Sequence, residues 1–382
     1  MRGFRNYLKV NVDAWWCYRI NLSSKIFIHF NIRVMKLGSI FYVLAISYGM
    51  FGCSKSTESP ASPANYSDIY IAGFEDNSTT GGAKYWKNTG SYDLGTANPA
   101  EAYDIFVAAN NDVYVAGYEE DNTGTEVAKY WKNGSGISLG NGIDESSVNS
   151  IFINGNDVYV AGYQGNSAGV YVATYWKNSV PVSLTDGTMF GQIESIVVSG
   201  NDVYACGSEY NAANFEVAKY WKNGVAVPIS NGTTDCYASS ILISGNDIHV
   251  SGLEKLSNGI YVAKYWKNGA VTNLSDGTYS AQAYRMAISG SDVYIAGAHQ
   301  VNLVNDNAKA VYWKNGTEVP LTAGNDESLA YGIAVSGNDI IVTGGTYFPS
   351  TGNSTAKYWK NGSVTNLSGG NTYASGYAVF LK

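Results

Sequence analysis

Val127-Ala-Lys-Tyr-Trp-Lys-Asn-Gly134 is the stretch whose recurrence decides the fold. Versions of it place tryptophans at Trp86, Trp131, Trp176, Trp221, Trp266, Trp313 and Trp359, a period of about 45 residues met seven times. A second marker, Asp-Val-Tyr or a close variant, begins at Asp68, Asp112, Asp157, Asp202, Asp247, Asp292 and Asp339. Each tryptophan precedes the next marker aspartate by 26 residues, whereas the distance from an aspartate to the tryptophan of its own repeat varies between 18 and 21. Length variation is thus confined to one connection, which reads as a loop.

Four short strands fit into each repeat. In the third, residues 150–154 are apolar on both faces, Gly155-Asn156 makes a turn, and residues 157–163 form a second strand. A loop at 164–170 leads to a third strand over 171–177, a turn at Asn178-Ser179 and a fourth strand over 180–184. Gly-Asn and Asn-Gly pairs suit the two-residue turns of hairpins, which need positive φ. The first strand is apolar at consecutive positions (Ile196-Val197-Val198, Ile241-Leu242-Ile243) and is therefore innermost; the fourth carries Pro181, Pro228 or Pro320, as an exposed edge does. Such meanders predict an all-β protein, a seven-bladed β-propeller of four-stranded antiparallel blades, since a linear solenoid would need polar end caps. The first repeat opens at Asp68, already in its second strand, while residues 376–381 carry a first-strand pattern. The C-terminal strand is therefore expected to complete the first blade and close the ring.

Ser199-Gly-Asn-Asp-Val-Tyr-Ala205, followed by Val217-Ala-Lys-Tyr-Trp221, resembles the repeat units of bacterial seven-bladed β-propellers, and the resemblance extends over about residues 66–382. It implies the fold, with ligands taken on the loop-bearing face and at the central tunnel, and implies no particular activity.

The first 52 residues have another character. From Met35 the chain reads Met-Lys, then an apolar run over 37–51, then Gly52-Cys53, which resembles a bacterial lipoprotein signal peptide with Met50 where leucine is usual. That resemblance implies cleavage before Cys53, a lipid on its thiol, and a protein anchored in a bacterial cell envelope, meeting the membrane through the lipid alone. Residues 35–52 are then the signal peptide and 53–65, rich in Ser and Pro, a flexible tether. Residues 1–34 read as an extended leader or as sequence ahead of a start at Met35. Residues 1–52 hold seven of the 24 Lys and Arg and one of the 31 acids, so the remainder carries 17 bases against 30 acids, a net of −13. So acidic a surface excludes nucleic acid as a partner. Cys206 and Cys236 read as unpaired small residues, although an oxidising compartment would allow a bond.

The loops after the second and fourth strands share one face, here called the top, and the tight turns share the bottom. Tyr118, Tyr163, Phe190, Tyr237, Tyr279, Tyr347 and Tyr373 are the candidate ligand-binding residues, lying beside top-loop acids such as Glu119, Glu120, Asp121, Asp144 and Glu145. Aromatic faces next to carboxylates and amides suit stacking against sugars or gripping a peptide. The expected function is a binding or scaffolding module, monomeric, for a protein or glycan partner. Evidence for an enzyme is thin: beyond the leader the histidines are His249 and His299, and neither zinc-ligand spacing nor a nucleophile or phosphate-loop motif occurs. No cofactor or metal is expected, and Glu119, Glu120 and Asp121 read as a solvated cluster rather than a calcium site. The alternative is a carbohydrate-active enzyme using Asp104, Glu194 and Glu101 at the tunnel mouth, because paired carboxylates are defined by separation in space. The recurrent Tyr and Trp are expected to pack between blades.

Overall fold

A computed structural model describes residues 66–76, 81–300, 307–323 and 327–382. The leader, the signal-like segment, Cys53 and the tether fall outside the described residues. All regular structure among the described residues is strand, in seven four-stranded antiparallel sheets. Blades are numbered by the marker aspartates, Asp68 to Asp339. In blade 3 the strands are Ser146–Asn154, Asp157–Gly165, Tyr171–Lys177 and Val180–Ser183, ordered from inside to outside. The outer strand is exposed at every residue, as its proline and length imply.

Blade 1 takes its inner strand, Tyr373–Leu381, from the chain's last residues, in register with Ile69–Asp76 from Ile69 opposite Leu381 to Asp76 opposite Tyr373. Every inner strand contacts the inner strands of both neighbouring blades, including the pair formed by Tyr373–Leu381 and Ala100–Val107. The seven blades therefore form a closed ring.

Seven separate hydrophobic clusters, one per blade interface, hold the ring together. The seven repeat tryptophans are at most 2% exposed, and each packs on the preceding blade: Trp131 against Tyr70, Ala72 and Ala83, Trp221 against Tyr159, Ala161 and Ala173. The closing interface is built alike, with Trp86 against Ile341 and Ala356. An indole of this kind is worth about 3–5 kcal/mol on truncation, so the tryptophan is the main inter-blade fastener.

The bottom face repeats a second device without exception. The lysine after each tryptophan pairs with the marker aspartate of its blade, as Lys132 with Asp112 at 2.9 Å and Lys360 with Asp339 at 2.8 Å. The next residue, an asparagine at φ of 49° to 56° in all seven blades, donates to the same aspartate and accepts the amide that follows it. Asn133 does so to Asp112 at 2.8 Å and from Val113 at 2.9 Å. Side-chain amides tolerate this left-handed backbone, which explains the residue choice. The asparagine, lysine and neighbouring Asn110 donors hold the Asp112 carboxyl down at about 2. In blades 1, 2, 3, 4 and 6 the lysine also lies over the marker tyrosine, as Lys132 over Tyr114 at 5.2 Å.

Candidate functional site: a ring of bulges around the channel

Each inner strand departs from regular pairing at the same place. In blade 2 the register passes from Ala102 opposite Gly117 to Asp104 opposite Ala116, leaving Tyr103 as an extra residue. The same β-bulge sets aside Asn149 in blade 3, Glu194 in blade 4, Ser239 in blade 5, Tyr331 in blade 7 and Tyr377 in blade 1. In blade 6 both Tyr284 and Arg285 fall in the gap. Opposite the bulge, five residues after every marker aspartate, stands a glycine: Gly73, Gly117, Gly162, Gly207, Gly252, Gly297 or Gly344. A Cβ there would lie 1.8–2.0 Å from a carbonyl oxygen of the inner strand, so the bulge and the glycine require one another.

The bulged residues divide into two arcs. Tyr284, Tyr331, Tyr377 and Tyr103, on blades 6, 7, 1 and 2, run ring against ring with centroids 5.2, 5.1 and 5.3 Å apart. Asn149, Glu194 and Ser239 supply a polar arc on blades 3 to 5. Arg285 joins the two sides. It donates to the carbonyls of Tyr103 at 3.1 Å and Asn149 at 2.9 Å, and its guanidinium lies 3.1 Å from Asp104. Blades 2 and 3 are each three places from blade 6 on a ring of seven, so these contacts can be made only across the axis. Toward the bottom end of the inner strands, Phe380, Phe106 and Phe152 stand side by side at 5.0 and 5.5 Å, each packed against a blade-interface cluster.

The three acids proposed for the tunnel mouth have separate fates. Asp104 is 8% exposed and fully engaged, accepting the amides of Ile105 and, on the next blade, Ile151 besides its pairing with Arg285. Glu101 accepts the Tyr377 hydroxyl at 3.2 Å near the upper end of its strand. Glu194 is the bulged residue of blade 4 and is half-buried. It makes no hydrogen bond or ion pair among the described residues. Burial pushes its carboxyl up to about 7, against a partial downward pull from Arg285. Glu216, between blades 4 and 5, is likewise raised to about 7 by burial, opposed by the hydroxyls of Ser208 and Tyr237.

The seven candidate aromatics are not brought together. Tyr118, Tyr163 and Tyr237 lie in strands rather than loops and are 3–4% exposed, so they offer no face to a ligand; this corrects the expectation for them. Tyr118 packs on Tyr103 at 5.9 Å, and Tyr163 on Tyr171 at 4.2 Å. Phe190 is 45% exposed on the top face, edge-on to Tyr171, whose hydroxyl donates to Glu145. Tyr279 and Tyr347 are half-buried, and Tyr373 lies against Phe74 at 5.4 Å. Glu119 and Asp121 border an open groove of about 250 Å³, yet Glu119 is paired with Lys129 and Asp121 accepts from Thr123 and Thr125. Among the described residues no cluster of His, Cys, Asp and Glu is arranged for a metal ion. Cys206 and Cys236 are buried free thiols, and His249 is buried beside the Tyr265 hydroxyl at 2.6 Å.

No protein-family model matches the chain, and no curated protein matches it. Solved structures do. The acylaminoacyl peptidase of Pyrococcus horikoshii superposes with a TM-score of 0.51 at 11% identity over 81% of this chain, which spans about half, 52%, of that one. The β-propeller domain of the trilobed protease of Pyrococcus furiosus gives 0.48 at 11% identity, covering 81% of this chain and 99% of that. The Aleuria aurantia lectin, solved with α-methyl-L-fucoside, gives 0.42 at 10%, covering 71% and 94%. Likeness at this identity concerns fold, and the class is plain: a seven-bladed β-propeller closed by its C-terminal strand.

Proposed function

We propose that the protein is a binding module of a bacterial cell envelope, anchored by lipid on Cys53 and presenting its top face and channel mouth to a protein or glycan. One observation carries this reading: the bottom clamp is the same in all seven blades, whereas the upper channel ring differs from blade to blade. The upper Lys–Glu pairs also break the repeat, present at Lys84–Glu75, Lys129–Glu119, Lys219–Glu209 and Lys264–Glu254 while blade 3 has Thr174 at the lysine position. Distinct side chains at equivalent places are what selective recognition needs. The raised carboxyl of Glu194 favours the enzymatic alternative as a proton donor. Among the described residues a second free acid is wanting beside it, since Asp104 is held by Arg285 and two backbone amides.

Immobilised protein should retain a partner from envelope extract or on a glycan array, and a Phe190→Ala change on the top face should weaken retention more than Lys177→Ala on the bottom. Cys53→Ala should abolish incorporation of labelled fatty acid. Turnover of chromogenic glycosides that disappears in Glu194→Gln would replace the binding module with an enzyme.

A further inference from the structure

The two arcs of the bulge ring leave hydrogen-bonding capacity unmatched on one side only. Ser239 Oγ is buried without a partner, and on the neighbouring blade the half-buried Glu194 carboxyl makes no hydrogen bond or ion pair among the described residues. The equivalent residues elsewhere are satisfied: Tyr377 donates to Glu101, Tyr284 to Gln282, and Asn149 to the carbonyl of Ile193. A buried hydroxyl and a half-buried carboxyl without protein partners carry a desolvation cost that a ligand's polar groups would offset.

We propose that Glu194 and Ser239, facing the tyrosine arc, form a subsite for a neutral, hydroxyl-rich ligand, the terminal sugar residue of a glycan. The inference rests on the binding-module reading and names its ligand class. The local charges select against the alternatives. An anion would meet Glu194 and Asp104, and the Arg285 donors that would welcome it are spent on Asp104 and two carbonyls. A cation has only Glu194 to meet, since Asp104 is matched by Arg285, and burial, which holds the Glu194 carboxyl toward its protonated form, weakens that attraction. A polyol donates to the carboxylate and both donates to and accepts from the hydroxyl, while tyrosine rings across the channel suit the apolar face of a pyranose. Arg285 spans the axis at the level of the bulges, which stands in the way of threading a chain through. The ligand enters from the top by its end.

The test is calorimetric titration of the full chain with methyl glycosides of neutral sugars, beside a uronic acid and an amino sugar. At least one neutral glycoside is expected to bind, and Glu194→Gln to weaken it by about tenfold or more, the worth of hydrogen bonds to a charged group. Ser239→Ala should weaken it less, and Lys177→Ala on the bottom face not at all. Thermal melts of each variant establish that it is folded. Absence of binding by every neutral glycoside at millimolar concentration, tighter binding of the charged sugars, or an unchanged affinity in Glu194→Gln overturns the proposal. Retention of an envelope protein that is indifferent to Glu194 and Ser239 would sink this subsite and keep the binding module. Sugar binding in the channel with no partner retained by the top face would do the reverse.

Discussion

The bottom face and the channel ring are built by the same seven repeats, yet one is uniform and the other is not. At the bottom, Lys, Asp and Asn recur in every blade because each clamp serves only its own hairpin. Around the axis seven bulges meet one another, and identical residues would be repelling or redundant there: seven copies of Arg285 would have no seven counter-charges. Backbone geometry is repeated in both places, by the asparagine turn below and by the glycine opposite each bulge above. What differs is whether the side chains sit alone or in company. Symmetry in the frame is thus compatible with individuality at its centre.

That contrast can be broken most severely by removing residues 376–382. Blade 1 would lose its inner strand and the ring its closure, and neither clamp nor tryptophan in the other blades would compensate. The truncated chain should show no cooperative melt and should aggregate; a wild-type melting temperature would refute a closed ring. Next comes a paired test on glycines. Gly207→Ala sets a Cβ 2.0 Å from the carbonyl of Gln192 and should cost more than about 4 kcal/mol. Gly134→Ala, at φ 83° with open space around it, should cost about 1 kcal/mol in urea denaturation.

Arg285→Met leaves Asp104 buried and uncompensated, and should cost about 3–5 kcal/mol, with much of that recovered by adding Asp104→Asn. If the single and double variants melt alike, the strut across the axis is not an energetic unit.

A pH-dependent effect follows from the two raised carboxyls. Between the usual glutamate value of 4.5 and about 7, the folded protein keeps protons on Glu194 and Glu216 that the unfolded chain has released. Stability from these groups is therefore complete below pH 4.5 and falls as pH rises toward 7, by on the order of 3 kcal/mol per carboxyl. The marker aspartates act in the opposite sense but only at lower pH, being held below the usual carboxylate range. His249, lowered by burial, and His299, raised by Glu318, pull against each other within the window. Thermal melts from pH 4.5 to 8 should decline in the parent and flatten in the Glu194→Gln, Glu216→Gln double variant; an equal slope in both would dismiss the assignment. At the bottom clamp, Asn133→Ala should cost about 1–2 kcal/mol, because alanine resists the left-handed turn and leaves the Val113 amide without its acceptor.

The frame was legible in the amino-acid sequence because it is made of what repeats. Trp131 and its counterparts, the marker aspartates and the Lys-Asn turns have fixed spacing, and packing demands the same residue at each. The channel ring was legible only in part. Ser146-Ser-Val-Asn149 does not read as strand, since a bulge interrupts the alternation by which strands are recognised, and so the sequence pattern starts the inner strand of blade 3 only at Ser150, four residues after its true start. Asp104 and Glu194 were found as acids near inner strands, but Arg285 was passed over. Two signals mark the place: a glycine in the interior of every second strand, five residues after the marker, and the position seven before it, where Ser150, Ser195 and Ser240 give way to Arg285. Tyr118, Tyr163 and Tyr237 misled for a related reason. They lie in the half of each blade that leads to the top loops, and an aromatic ring there looks available until the neighbouring blade covers it.

The pairing of Ile69 with Leu381 sets an order of events for biosynthesis. Blades 2 to 7 each draw on a continuous run of chain and can collapse as they are made, whereas blade 1 holds its second strand beside an unpaired edge until the final residues exist. Until then, Ile71 and Trp86, which end fully buried, remain without their full cover, open to association with other chains. Closure over some three hundred residues of separation also carries a larger loop-closure entropy than any pairing within the other blades.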